Sequence, residues 1–254
     1  MKNILILGGT GFVGRNLARY FTAQGHTVEA IGSAMNILNG NAFAPIRAKP
    51  DLVINCAGWK DVPACEKDAL RSYSINAIGA GNVARACRQH GVRLIHISSD
   101  HAYATPATVY SESKRLGDVL VRKENPDATI VVTGHVYAND CPWVMWLDGE
   151  LRAGRKVEAW TDIANYPTHV TDLATYLTPI SLMQERTVLC VGAERITRMK
   201  LFREYARVFD LDESLIVDGG CAPPWYPRDF DFKNLPSIWT LRPVDGFQYM
   251  KGEA

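Results

Sequence analysis

A tyrosine and a lysine four positions apart, Tyr110 and Lys114 in the segment VYSESKR, have residue types suited to proton transfer. On a helix this spacing places both side chains on one face. A free phenol has a pKa near about 10, and a neighbouring ammonium favours the phenolate and lowers that pKa. Upstream, Ser99 offers a hydroxyl that could hold the oxygen to be protonated. The three residues indicate acid–base chemistry on a substrate oxygen atom.

The serine ends an apolar run, RLIHISS, which has the composition of a buried strand. Alternation along a strand points Ser98 and Ser99 to opposite faces, so only one of them can face a substrate. Ser99 follows the carboxyl end of this strand, where α/β sheets bind their ligands. A Tyr–Lys pair at this spacing also occurs on ordinary solvated helices, so its interpretation depends on the surrounding elements.

Short apolar runs alternate with amphipathic segments through the first half of the chain. They predict buried strands at 3–7, 27–31, 52–56, 93–97 and 129–133, with helices near 12–24, 68–89 and 110–123. Later patterns predict helices over 170–183 and 198–211 and a strand over 187–191. Such alternation is typical of a parallel sheet with helices on both faces. The predicted fold class is α/β, a Rossmann-type doubly wound parallel sheet.

Three glycines, Gly8, Gly11 and Gly14, lie between the first strand and the first helix. This spacing suits a tight turn and a close approach of the backbone to a pyrophosphate. The N–H groups and the positive dipole end of the following helix also favour binding of that anion. Glycines also mark plain turns, but the position at the start of a βαβ unit favours a dinucleotide site. The cofactor residues predicted in this segment are Gly8, Thr10, Gly11, Phe12, Val13 and Gly14.

The choice between NAD and NADP depends on the end of the second strand, which reads EAIGSAMN. Glu29 falls inside the strand, and the loop after it offers only Gly32 and Ser33, of which Ser33 is a predicted cofactor contact. This loop contains no carboxylate to repel a 2′-phosphate and no arginine to bind one. Both forms remain open, with NADP slightly favoured.

Composition excludes several classes of protein. The 254 residues carry a net charge of +1, which gives no basic surface for nucleic acid or an anionic membrane. No run approaches the roughly 18 apolar residues of a membrane span, and the N-terminus lacks a signal peptide's apolar region. The six cysteines show no metal-ligand spacing, so we predict no metal site. Free thiols indicate a reducing compartment, and we expect a cytoplasmic location.

We expect residues 1–254 to form a single NAD(P)-binding domain with two regions. The Rossmann core is predicted at about 1–133 plus 170–191. A small, interwoven C-terminal substrate lobe is predicted at about 134–169 and 192–254, where the regular alternation loosens and tryptophans concentrate.

The chain resembles the extended short-chain dehydrogenases/reductases, and among them the dTDP-4-dehydrorhamnose reductase family. The resemblance rests on GGTGFVGRNL, PDLVINCAGWKDVPACE, INAIGAGNVARAC, LIHISSDHAY, YSESKRLGD, HVYA and NYPTHVTDLA, and more weakly on FDFKNL. It implies a nicotinamide cofactor and a nucleotide-linked keto-sugar as the substrate partner. The residues that match catalytic positions are Ser99, Tyr110 and Lys114. Those implied at the cofactor site, besides the glycine turn and Lys114, are Cys56, Ala57, Gly58 and Asn76.

The chain departs from the family pattern on the substrate side. Only eleven positions separate Ser99 from Tyr110, where the family carries a longer loop. Ser111 replaces the usual glycine, and His101 stands where another aromatic residue is common. The residues expected to face the substrate are Asp100, His101, His135 and Trp143.

The sequence is also compatible with two other functions. A non-catalytic, cofactor-binding regulatory protein on the same fold would suit the shortened loop. A nucleotide-sugar epimerase or dehydratase would use the same chemistry, and Asp100 does not separate these from a reductase. A homodimer formed through paired helices is common in the fold and is a further possibility.

Overall fold

The computed structural model describes residues 1–32, 37–39, 43–180, 188–224, 226–227, 229–230, 237–239 and 242–253. The strands are β1 (Asn3–Leu7), β2 (Thr27–Ile31), β3 (Leu52–Asn55), β4 (Arg93–Ile97), β5 (Ala104–Thr105), β6 (Thr129–Tyr137), β7 (Val157–Ala159), β8 (Ala164–Asn165), β9 (Pro167–His169), β10 (Val188–Gly192), β11 (Ile196–Thr197), β12 (Ile216–Asp218), β13 (Asp229–Phe230) and β14 (Ser237–Trp239). The helices are α1 (Phe12–Ala23), α2 (Ala44–Arg47), α3 (Val62–Lys67), α4 (Ala69–Tyr73), α5 (Ala80–His90), α6 (Val109–Glu124), α7 (Pro142–Arg152), α8 (Val170–Ile180), α9 (Arg198–Val208) and α10 (Pro243–Glu253). A π-helical turn at Ser74–Gly79 joins α4 to α5, and 3₁₀ turns occupy Asp100–Tyr103 and Glu213–Leu215.

One sheet dominates the described part of the chain. Its strand order is β14-β10-β6-β4-β3-β1-β2, with β9 paired to β6. Every pairing that the structure describes in this sheet is parallel. The strand order reverses at β1, because β2 lies on one side of it and β3 on the other. A crevice for ligands forms at such a reversal. The predicted Rossmann-type parallel sheet is confirmed.

The inner strands of the sheet are buried on both faces because they are apolar along almost their whole length. Leu5 and Leu7 of β1 pack with Val83 of α5 and Val121 of α6. The alternate residues Ile4 and Ile6 pack on the opposite face, with side chains of α1 and α8. A third apolar cluster joins α7, α9 and α10 beside the sheet. These layers hold the carboxyl ends of the strands in fixed positions.

The predicted burial of the second strand is wrong. β2 is the edge strand on one side of the sheet, and its residues, including Glu29 and Ala30, are exposed or half-buried. An apolar run indicates a strand, but its place in the sheet depends on the connections between strands.

The helix predicted over 68–89 is divided in the structure. The Asp68 carboxylate accepts a hydrogen bond from the Arg71 amide and caps α4, which separates α4 from α3. The π turn then inserts extra backbone around Asn76 before α5 begins. Helix α5 ends at Gly91, whose left-handed φ of 66° suits a residue without a Cβ.

The division into a core and a substrate lobe stays a prediction. β9 and β14, which come from the stretches assigned to the lobe, hydrogen-bond to the main sheet. Three small pairings accompany them, β8 with β11, β7 with β12 and β5 with β13. Among the described residues, none of the helices has the length and apolar character needed to cross a membrane.

Candidate active site

Two clefts open at the carboxyl ends of the parallel strands. The glycine cleft lies at the reversal of strand order, after β1, β2 and β3. Six of the predicted cofactor residues line it: Gly8, Thr10, Gly11, Cys56, Ala57 and Gly58. The serine cleft, with a volume of about 380 Å³, lies after β4 and β6, and Ser99 and Tyr110 line it. Volumes of this size suit small-molecule ligands.

The glycine turn is shaped by contacts that exclude side chains. Gly8 has a φ of 74°, and a Cβ there would lie 2.7 Å from the Ala57 nitrogen. A Cβ on Gly14 would overlap the carbonyl oxygen of Gly8. Gly11 precedes α1 and supplies no side-chain cap, so no side chain of the N-cap residue occupies the backbone amides at this helix end. This arrangement can hold the pyrophosphate of a dinucleotide.

The other predicted cofactor residues are placed differently. Phe12 and Val13 line the serine cleft, which shows that the two clefts adjoin. Gly14 packs beneath the turn, against Gly8. Asn76 and Lys114 are buried and line neither cleft. Ser33 lies outside the described residues.

Ser99 begins the 3₁₀ turn that follows β4. Its hydroxyl accepts a hydrogen bond from the His101 amide at 3.2 Å and donates one to Asp100 Oδ1 at 3.1 Å. Ser98 is turned to the other side, where its hydroxyl donates to Asp118 Oδ2 at 2.7 Å. The alternation of the strand therefore separates the two serines, as the sequence predicted.

Tyr110 lies in the first turn of α6, which Thr108 caps by accepting a hydrogen bond from the Ser111 amide at 3.1 Å. Its ring packs edge-on against His101, with 5.4 Å between the ring centroids. Burial raises the pKa of the phenol above its ordinary value, while hydrogen bonding to Ser99 acts in the opposite direction. The expected lowering of this pKa by Lys114 is wrong for the structure, because desolvation dominates.

Lys114 is held beneath the cleft by a buried network that the sequence analysis missed. Its Nζ donates to the carbonyl oxygen of Ile97 at 3.1 Å. Burial lowers the pKa of Lys114, and the negative charge of Asp118 raises it. His96 Nε2 lies 3.7 Å from Asp118 Oδ1, and His96 Nδ1 lies 3.2 Å from the side-chain nitrogen of Asn55, Nδ2. The four-residue spacing of Lys114 and Asp118 on one helix was a signal available in the sequence.

Asn76 fixes the loop that follows β3. Its Oδ1 accepts a hydrogen bond from the Trp59 amide at 2.7 Å, and its Nδ2 donates to the Trp59 carbonyl at 2.9 Å. Lys60, the next residue, is exposed and lines the serine cleft. The structure therefore gives Asn76 a supporting position behind the loop.

The shortened segment between Ser99 and Tyr110 is covered by a distant part of the chain. Its strand β5 pairs antiparallel with β13. Tyr226 and Phe230 pack edge-on against His101, at centroid distances of 6.3 and 5.6 Å. Tyr226 and Asn165 line the cleft, and neither was among the predicted site residues, although Asn165 begins the segment NYPTHVTDLA that carries part of the resemblance.

The predicted substrate residues Asp100, His101, His135 and Trp143 all line the serine cleft. Within the described part of the chain, each has a buried polar atom without a hydrogen-bond partner: Asp100 Oδ2, His101 Nδ1, His135 Nε2 and Trp143 Nε1; Asn165 Oδ1 is a fifth. Burial raises the pKa of Asp100, lowers that of His101 and lowers that of His135 to about 3. The cleft thus presents neutral imidazoles and other groups able to bind the polar, uncharged part of a ligand.

The fold and site define a Rossmann-type protein with a dinucleotide-binding turn beside a cleft that contains serine and tyrosine. The chain matches the model of the RmlD substrate binding domain over residues 1–213, and it belongs to this family.

Named relatives agree with this assignment. The chain is 32% identical over 196 residues to the dTDP-4-dehydrorhamnose reductase of Mycolicibacterium smegmatis, covering 70% of this chain and 60% of that protein. It is 30% identical over 191 residues to the spore coat polysaccharide biosynthesis protein SpsK of Bacillus subtilis, covering 68% of each. The match therefore spans about three fifths to two thirds of the length of these relatives.

A solved structure matches the fold over the whole chain. It is the dTDP-4-dehydrorhamnose reductase of Bacillus anthracis in complex with NADP, with a TM-score of 0.85 at 19% identity, covering 100% of this chain and 99% of that one. At this level of identity the similarity establishes the fold.

Proposed function

We propose that the protein is an NAD(P)H-dependent oxidoreductase of the short-chain dehydrogenase/reductase type that reduces the keto group of a nucleotide-linked deoxysugar, such as dTDP-4-dehydrorhamnose. The observation that carries this proposal is the position of Ser99 and Tyr110 in one cleft, together with Phe12 and Val13 of the glycine turn. A ligand in that cleft would reach a dinucleotide held at the turn. The similarity to proteins named dTDP-4-dehydrorhamnose reductase supports the substrate class.

The residues of this chain would divide the work of reduction. A reduced nicotinamide dinucleotide, when bound, supplies the hydride. Tyr110 would give its proton to the carbonyl oxygen, and Ser99 would hold that oxygen by a hydrogen bond. Because burial raises the pKa of Tyr110, the phenol stays protonated at neutral pH, as a proton donor for reduction requires. Lys114 would orient the ribose of the bound dinucleotide, the role that the family resemblance implies, from its position beneath the cleft.

The charges around the serine cleft support an anionic, nucleotide-linked substrate. Lys60 lies at its edge. Arg198 packs over the rings of Trp160 and Tyr226, at 5.1 and 5.8 Å from their centroids. The positive charges of Lys60 and Arg198 both lower the pKa of His135, so their field extends into the cleft. A diphosphate at this end would be attracted by the same field.

NADPH is the favoured cofactor form. Ile31 and Gly32 end β2 without a carboxylate that would repel a 2′-phosphate, and Glu29 lies within the exposed edge strand. The similar structure from Bacillus anthracis was solved with NADP. The cytoplasmic location expected from the sequence stays a prediction.

A homodimer through the helices near α6 is a further part of the proposal. Ile78 of the π turn and Leu116 and Val119 of α6 are exposed apolar side chains. Leu116 and Val119 lie on neighbouring positions of one helix face. Their burial between two copies would remove apolar surface from water.

The proposed reaction is tested by mixing the purified protein with NADPH or NADH and dTDP-4-dehydrorhamnose and following the loss of reduced-nicotinamide absorbance. We expect turnover with NADPH. Tight dinucleotide binding without turnover on any nucleotide keto-sugar would favour the regulatory alternative. An exchange of sugar stereochemistry without net cofactor consumption would favour an epimerase.

A further inference from the structure

His135 has a backbone conformation that is rare for a residue with a side chain. Its φ is 44°, in the left-handed region, and it lies where the pairing of β6 with β9 shifts register between Gly134 and Val136. A bulge of this kind redirects a side chain, and such strain is concentrated at functional sites. The bulge places the His135 ring in the serine cleft.

Gly134, the residue before His135, shows which end of the cleft His135 occupies. A Cβ on Gly134 would overlap the Asp100 carboxylate, so the strand and that carboxylate are in direct contact. Asp100 follows Ser99, which would hold the reacting carbonyl. His135 therefore stands close to the end of the cleft where reduction would occur.

His135 and Trp143 form a paired polar surface there. Their rings are tilted at 42° with 5.1 Å between centroids. His135 Nε2 and Trp143 Nε1 are both buried, and neither has a hydrogen-bond partner among the described residues. A buried polar atom left without a partner destabilises the unliganded protein, and a ligand hydroxyl that bonds to it would remove that cost.

The ligand group that fits this pair is uncharged. The indole N–H can only donate, whereas a neutral imidazole nitrogen can donate or accept. Burial lowers the pKa of His135, and the positive charges of Arg198 and Lys60 lower it further. The ring therefore stays neutral at physiological pH. A hydroxyl can accept from the indole and bond to the imidazole at once. The aromatic faces suit the apolar face of a sugar ring.

We propose that His135 and Trp143 bind the sugar hydroxyl next to the reacting carbonyl and so determine which keto-sugar is reduced. This inference rests on the proposed function. In a 4-keto-6-deoxy sugar the carbonyl carbon has two neighbours. The third carbon carries a hydroxyl, whereas the fifth carries the ring oxygen and the methyl group. The pair thus selects sugars with a free hydroxyl at the third carbon.

The test compares dTDP-4-dehydrorhamnose with its 3-deoxy analogue. His135→Phe keeps an aromatic ring beside Trp143 and removes the nitrogen. We expect kcat/KM for the hydroxylated sugar to fall about 10–100-fold, the equivalent of one lost hydrogen bond, with the 3-deoxy analogue changed less than about 3-fold. His135→Asn, whose amide can still hydrogen-bond and which tolerates left-handed φ, should recover part of the preference.

Trp143→Phe provides a second variant, and Trp146→Phe is its matched control. Trp146 lies on the same helix, is exposed, and packs edge-on against Phe202 outside the cleft. Trp143→Phe should reduce the preference for the hydroxylated sugar, and Trp146→Phe should keep it. NADPH affinity, measured for every variant, reports whether the fold is intact.

A binding experiment separates failure of this inference from failure of the proposed function. Binding of dTDP-rhamnose and of dTDP is measured by calorimetry in the presence of NADP, which requires no turnover. Loss of the sugar contribution in His135→Phe supports the hydroxyl site even if the wild type reduces nothing. Equal sugar preference in wild type and His135→Phe overturns it even if the wild type is an active reductase. A wild type that binds neither compound overturns both.

Discussion

The Ser98 hydroxyl donates a 2.7 Å hydrogen bond to the Asp118 carboxylate, which joins the end of β4 to the middle of α6. Asp118 in turn faces His96 and acts electrostatically on Lys114. One serine of the pair thus serves the buried network under the site. The other, Ser99, remains for the cleft.

This division predicts different effects for the two serines. Ser99→Ala should lower kcat by about 100-fold, because the hydroxyl that holds the carbonyl oxygen is lost. Ser98→Ala should lower the free energy of unfolding by about 1–3 kcal/mol, since a buried carboxylate loses a partner. Steady-state kinetics and urea titration measure both. A larger kcat loss in Ser98→Ala than in Ser99→Ala would contradict the assignment.

Tyr110→Phe should remove the proton donor while keeping the packing of the ring against His101. We expect kcat to fall at least about 100-fold, within the range for general acid catalysis, with the dissociation constant for NADPH changed less than about 3-fold. Fluorescence titration and turnover assays provide the two numbers. A Tyr110→Phe protein with ordinary turnover would rule out the proposed mechanism.

Gly14→Ala should disrupt the glycine turn, because the added methyl would overlap the Gly8 carbonyl oxygen. We expect a loss of NADPH affinity of at least about 10-fold and a lower melting temperature. Gly149→Ala is the matched control: it lies in α7 and a Cβ there meets nothing within 4 Å. That substitution should raise helix stability by up to about 1 kcal/mol. Equal NADPH affinity in both variants would contradict the role of the turn.

The pH dependence of stability should contain a contribution from His135. Its pKa is about 3 in the folded chain and near 6.5 when unfolded, so the unfolded state binds more protons below pH 6.5. The contribution is fully present above that pH and is lost as the pH falls toward 3. Between pH 6.5 and about 5 the loss is about 1–2 kcal/mol.

His135→Asn does not titrate in this range, so its unfolding free energy should fall less steeply over the same interval. His96 and His101, whose pKa values are also lowered by burial, keep part of the slope. Urea unfolding at several pH values measures the difference. Parallel slopes for wild type and variant would show that His135 titrates normally.

Much of the fold and part of the site were predictable because the signals are local. The apolar runs located six of the eight strands that the structure describes in the main sheet, all but β9 and β14, and the glycine spacing located the turn after β1. Tyr110 and Lys114 stand at a spacing that helical geometry makes meaningful. The edge position of β2 was not predictable from its residues, since it depends on how the strands connect.

The walls of the serine cleft depend on contacts between distant segments. Tyr226 reaches it from a stretch without a motif and packs against His101 of the segment between Ser99 and Tyr110, while Asn165 begins the segment NYPTHVTDLA but was not singled out as a site residue. The pKa of Tyr110 was predicted in the wrong direction because burial of the ring cannot be read from its spacing to Lys114. The strain at His135 arises from the pairing of two strands and leaves no trace in a single segment.

The π turn before α5 has a consequence for how this site can vary. A π turn holds one more residue than an α turn, and each residue rotates the helix face by roughly 100°. The extra residue lets Asn76 point at the Trp59 peptide while Val83 and Cys87 still face the sheet. If one residue were removed from Ser74–Gly79, Asn76 could not bond to Trp59 while Val83 and Cys87 kept their packing against the sheet. The loop that carries Gly58 at the glycine cleft is thereby coupled to the rotation of α5, a helix that does not line that cleft.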